Sequence, residues 1–194
     1  YTVSAINDAG RSANSNRNVI STLTVAETKR IKDGLIAYYN FGYNRDNIIY
    51  DQSGYGNPLN LRIPNAAAVS WDHNHKIELL SNTALTSVTP ATKIIEAVKK
   101  TNAISIECWL KPDDYDISST SRILSLAKDE NDVGVILDQN MTNDPDNKEY
   151  GYSVRMQTTT TNSSGFPEIE SDKSMTSLTL LHFTYVRDSL GRET

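Results

Sequence analysis

The chain has 194 residues, 38% of them hydrophobic and 22% charged, so it is long enough to bury a core and too apolar to be disordered. Its net charge is −5 and its 19 Lys and Arg are scattered rather than gathered into a stripe, which argues against a nucleic-acid or anionic-membrane partner. No apolar run approaches the roughly 20 residues of a membrane span, and the single cysteine, Cys108, excludes an internal disulfide and a zinc site built on several thiolates. Ten tyrosines, many Thr, Ser and Asn, and only three Phe favour strands and turns. The chain reads as all-β.

In chain order, the opening YTVSAINDAG alternates Tyr1, Val3 and Ala5, turns through Asn7, Asp8, Ala9 and Gly10, and a second alternation runs from Val19 to Val25. That is the pattern of a hairpin. GLIAYYNF at 34–41 is a β-rich run, and DQSGYGN at 51–57 gathers turn residues ahead of the alternating Leu59, Leu61 and Ile63. Between Pro90 and Asn102, Ile94, Ile95 and Val98 oppose Lys93, Glu96, Lys99 and Lys100. Such spacing predicts a short amphipathic helix with its proline near the first turn and lysines in the last. Strands are expected at KIELL, ISIECWLKP and HFTYVRD. Cys108 reads as a small buried hydrophobe, and Trp71 and Trp109, bracketed by apolar residues, as core.

Two resemblances follow from these stretches. The Tyr-x-Val-x-Ala strand running into an N-x-x-G turn resembles the end of a fibronectin type III domain. On it, residues 1–25 are the last hairpin of such a domain, 26–33 (AETKRIKD) a linker and 34–194 a second unit. From residue 33 to 194, the order of the D-x-S-G-x-G-N turn, the helix leading into ISIECWLKP, and HFTYVRD with its polar turn resembles a bacterial laminin-G-like domain. The resemblance implies a concanavalin A-like jelly-roll β-sandwich with one short helix covering its end. It also implies further strands beyond Thr194, so the module is expected to be cut short there and the natural protein to be longer at both ends.

Among candidate sites, PEIESD sets Glu168, Glu170 and Asp172 at i, i+2 and i+4, on one face if the stretch is a strand. Concanavalin-like glucanases carry an E-x-D-x-E order, whereas this E-x-E-x-D follows Gly165 and Pro167 in a loop or edge context. No catalytic role is assigned to it. His73 and His75 in WDHNHK read as a polar turn rather than a metal pair, and the sequons at Asn140 and Asn162 as chance matches. Calcium, which takes six to eight oxygens, is the ion such turns suit. Asp51 and Asn57 are its first candidate ligands, and a 138–149 loop with Asp138, Asn140, Asp144 and Asp146 the second. Tyr43, Tyr50, Tyr55 and Tyr115 are candidates for stacking on sugars.

The laminin-G-like resemblance implies a non-catalytic binding or adhesion module at the cell surface or outside the cell. A glycan or glycoconjugate is the first expected partner and a surface protein the second. An accessory domain of a polysaccharide-degrading enzyme, a glycosidase or lyase using Glu168 and Glu170, and a structural spacer stay open beside it.

Overall fold

The computed structural model describes residues 6–7, 10–11, 32–42, 44–45, 47–72, 75–113, 121–129, 132–141, 150–171 and 180–194. Strands β1 (Ile6–Asn7) and β2 (Gly10–Arg11) pair antiparallel, Ile6 with Arg11 and Asn7 with Gly10. The rest of 1–25, most of the linker, and with them the fibronectin-like reading, lie outside the described residues. Next come β3 (Asn44–Arg45), β4 (Ile48–Ile49), β5 (Leu61–Arg62), β6 (Val69–Asp72), β7 (Lys76–Leu79) and β8 (Thr86–Ser87). Helix α1 (Thr92–Thr101) leads into β9 (Ile104–Leu110), followed by β10 (Ser121–Ala127), β11 (Val133–Met141), β12 (Tyr150–Met156), β13 (Ile169–Glu170) and β14 (Leu181–Arg187). All pairings are antiparallel, in sheets ordered β3-β4-β5-β8, β6-β7, β10-β11-β12-β13 and β14-β9. Among the described residues the fold is therefore all-β with one α-helix. No described helix is long and apolar enough to cross a membrane.

The main core lies between the β14-β9 pair and the β10-β13 sheet. Strand side chains alternate between faces, so β9 sends Ile104, Ile106, Cys108 and Leu110 inward, and β14 sends Leu181, Phe183 and Tyr185. From the other sheet they meet Leu124, Leu126, Val135, Leu137, Tyr150, Tyr152, Val154 and Met156. This is a two-layer sandwich, and Cys108 packs in it as expected, its thiol pushed up by burial and by the Glu107 charge. The same alternation corrects the expectation for Trp109. Lying between Cys108 and Leu110, it must point outward, and it is 65% exposed.

A second cluster forms around Ile49, Ile63 and Val69, with Tyr39, Phe41, Leu61, Trp71, Ile77 and Leu85 against it. Trp71 is thus half-buried, in keeping with a core role. The run at 34–41 contributes Tyr39 and Phe41 to this cluster yet forms no strand. It is tied to the Asp51 turn and the residues after it instead: Gln52 N donates to the Tyr38 carbonyl at 2.8 Å, and the Tyr39 hydroxyl to the Leu59 carbonyl at 2.5 Å.

Helix α1 matches the amphipathic pattern and ends where Asn102 adopts a left-handed conformation at φ 52°, with Lys99 and Lys100 in the last turn. Lysines there complement the carbonyl end of the helix dipole. Both ends of the helix are anchored: Lys93 reaches the Asp51 turn, and Asn102 Nδ2 donates to the Ser189 carbonyl at 3.0 Å, beyond β14.

Candidate functional site

The Asp51 turn, first choice for calcium, is organised around one carboxylate. Asp51 Oδ1 accepts from the N–H groups of Tyr38 (3.1 Å) and Ser53 (2.9 Å), and Oδ2 from that of Leu59 (2.9 Å). The Lys93 ammonium, donated by α1, also bonds to Oδ2 and reaches the Tyr55 carbonyl at 3.0 Å. Burial works against the charged carboxyl here, but the ammonium and the N–H donors of Leu59 and Ser53 outweigh it and hold it at about 2. The position beside Asp51 is therefore filled by an ammonium built into the fold. Asn57 is exposed in the same turn, and among the described residues no three His, Cys, Asp or Glu side chains converge as metal ligands do. With both Asp51 oxygens engaged, the residues as arranged fit the ammonium and not the oxygen shell of calcium.

A different group converges on the outer face of the β10-β13 sheet. There a cavity of about 350 Å³ is lined by Arg122, Asp138, Asn140, Arg155, Phe166 and Glu168. Asp138, expected in a loop, lies instead within β11 opposite Ser153 of β12 and is 1% exposed. Asn140 is likewise a strand residue, while Asp144 and Asp146 lie outside the described residues. Taking a carboxylate out of water requires partners. Arg155 supplies them, its Nε at 3.2 Å and a terminal nitrogen at 2.7 Å from Asp138 Oδ2.

Arg122 faces the other oxygen, Nε to Oδ1 at 3.9 Å, and its side chain stays half exposed. A bulge puts it there. Leu124 pairs with Leu137 and Arg122 with Asp138, so Ile123 is an extra residue without an opposite number. Strict alternation would send Arg122 inward with Leu124 and Leu126; the added residue flips it to the outer face.

The remaining wall is the segment between β12 and β13. Asn162 Oδ1 accepts from the N–H groups of Ser164 and Phe166, both at 3.0 Å, and Asn162 N–H donates to the Phe166 carbonyl at 2.9 Å. Thr161 Oγ1 donates to the Met156 carbonyl at 2.8 Å, and the Ser163 carbonyl accepts from Val133 N–H at 3.1 Å. The polar run TTTTNSSG is thus a knit loop that folds back over the sheet. Gly165 sits at φ +82°, where a Cβ would lie 2.9 Å from Met156 N; this left-handed, crowded position is one that glycine alone fills without strain. Phe166 then stacks on Arg155, whose guanidinium carbon is 5.1 Å from the ring centroid.

Of the carboxylates in PEIESD, Glu168 lines the cavity, Glu170 pairs with Ser153 at the sheet edge, and Asp172 lies outside the described residues. Among the tyrosines singled out, Tyr55 is exposed beside Asp51, and Tyr43 and Tyr115 lie outside the described residues. His75 is exposed at a β6-β7 turn. What the cavity offers a ligand is a guanidinium donor from Arg122, acceptor oxygens from Glu168 and Asn140, and the apolar ring of Phe166. Asn140 Nδ2 donates one hydrogen bond to Ser153 Oγ at 2.7 Å, which fixes the amide and sets its Oδ1 as the accepting atom.

Comparison with protein-family models, with curated proteins and with solved structures yields no match.

Proposed function

We propose that this chain is a non-catalytic saccharide-binding module of a secreted or surface protein, built on a laminin-G-like jelly-roll sandwich, with the outer-face cavity as its binding site. The observation that carries the reading is the pairing of a buried, Arg155-locked Asp138 with the half-free Arg122, Asn140, Glu168 and the Phe166 ring. Sugar hydroxyls both donate and accept, and a pyranose has an apolar C–H face. A cavity with donor, acceptors and an aromatic wall answers both requirements. The two-layer antiparallel architecture and a helix leading directly into β9 support the jelly-roll assignment.

A hydrolytic reading fits the cavity less well. A glycosidase needs one protonated carboxyl and a second carboxylate presented to the sugar, whereas Asp138 Oδ2 is turned to Arg155. The test is thermal melting against a panel of neutral and acidic oligosaccharides, with and without calcium. A ligand at about a hundred times its Kd stabilises by about 2.7 kcal/mol, a rise in Tm of about 5–10 °C for a chain of this size. Arg122→Ala and Phe166→Ala abolish the rise. No shift with any saccharide, or a shift that both variants retain, contradicts the cavity as a sugar site. A calcium-dependent shift that Asp51→Asn removes would restore the ion at Asp51.

A further inference from the structure

On the opposite outer face of the sandwich, β9 and β14 carry a second aromatic arrangement that the cavity does not use. Ser105, Glu107 and Trp109 face out from β9, and His182, Thr184 and Val186 from β14, with Trp109 opposite His182 and Glu107 opposite Thr184. The indole and imidazole rings stack, centroids 4.2 Å apart and planes within 10°. Glu107 Oε1 lies 2.9 Å from His182 Nε2 and holds the imidazole by its edge. One face of the indole is therefore backed and the other is left to water.

We propose that the open face of Trp109 is a second saccharide-binding site, taking the C–H face of a neutral sugar ring with Glu107 and Thr184 as flanking hydrogen-bond groups. Three observations select this occupant. A large indole held in place by its neighbours loses little freedom on binding, which favours a flat ligand stacked on it. The apolar surface is small: Glu107 and Thr184 separate Val186 from the ring, and Leu180, two residues before His182, is its exposed apolar neighbour on β14. A protein interface needs about 800 Å² per partner, beyond what one ring and one leucine supply. A nucleobase would stack equally well, but the Glu107 carboxylate and a net charge of −5 repel its phosphates. The proposal stands on residues other than those of the cavity, so either site can fail alone.

The experiment is affinity electrophoresis of the full chain in gels cast with hydroxyethylcellulose, xylan or galactomannan, with sedimentation velocity run alongside. Trp109→Ala is expected to weaken retardation at least tenfold on one of these polymers, Trp109→Phe to keep part of it, and Arg122→Ala with Phe166→Ala to leave that component in place. Because the ring is exposed, Trp109→Ala should melt as wild type does, so a loss of retardation is a loss of binding. The proposal is overturned if wild type is retarded by none of the three polymers, or if Trp109→Ala is retarded as strongly as wild type. It is overturned too if wild type sediments as a dimer that Trp109→Ala dissolves, since the occupant is then a second copy of the chain.

Discussion

The two sheets of the sandwich share one core yet treat their outer faces in opposite ways. On β9 and β14 the alternation is clean, inward residues shielded and outward ones exposed, as in a sheet that is wet on one side. On β11 and β12 it disappears: Ile136, Asp138, Gly151 and Ser153, all outward, are buried as well. The Arg155 guanidinium lies on Asp138, and the loop from β12 to β13 bonds back to Met156 and Val133 and sets Phe166 over Arg155. An outer face so covered can hold a buried charge and a shaped cavity, whereas an uncovered one can offer only a ring on an open surface.

The comparison is sharpest if the same truncation is made on both faces. Asp138→Ala leaves the Arg155 charge buried without its carboxylate, a loss of about 3–5 kcal/mol, which lowers Tm by about 10 °C. Trp109→Ala should stay within about 0.5 kcal/mol of wild type. Thermal melts of the two variants under one condition decide the point; equal losses would mean that the faces are not covered differently. Next in size is Gly165→Ala, which tests the cover alone. Strain at φ +82° and the crowding against Met156 N should cost about 1–3 kcal/mol and weaken saccharide binding at the cavity while leaving Trp109 unaffected.

A third test concerns the Asp51 turn, whose carboxylate is shielded. Its carboxyl is held at about 2 in the fold, against about 3.9 in an unfolded chain. The stabilisation it gives is therefore complete above about pH 4 and is lost as pH falls toward 2. Tm measured from pH 5 to pH 2 should fall in this window, and Lys93→Met, which removes the ammonium, should flatten the fall. An unchanged slope in that variant would place the acid sensitivity elsewhere.

Much of this division was legible in the sequence, and the failures have particular causes. Helix α1 was readable because its apolar positions recur at helical spacing and no glycine interrupts them. ISIECWL already alternates Ile104, Ile106, Cys108 and Leu110, so counting the period places Trp109 outside, whereas reading its apolar neighbours places it in the core. Arg122 was not legible, since SRILSLA shows no sign of the bulge at Ile123 that turns it outward. Asp138 reads as the start of a loop because DQN resembles turn chemistry. Its place within β11 is set by pairing with β12 and by Arg155, a partner 17 residues away. Nor does TTTTNSSGF announce that Asn162 and Gly165 fold it back over the sheet. Local composition gives loop residues, while the covering is decided by contacts distant in the chain.

Whether the covered face is a saccharide site is read from a two-dimensional amide and side-chain NMR titration with the oligosaccharide that most raises Tm. Shift changes should concentrate on Arg122, Asn140, Arg155, Phe166 and Glu168, with any second set confined to Trp109, Glu107 and His182. Changes that bypass the cavity residues, or none at saturating oligosaccharide, would contradict that site.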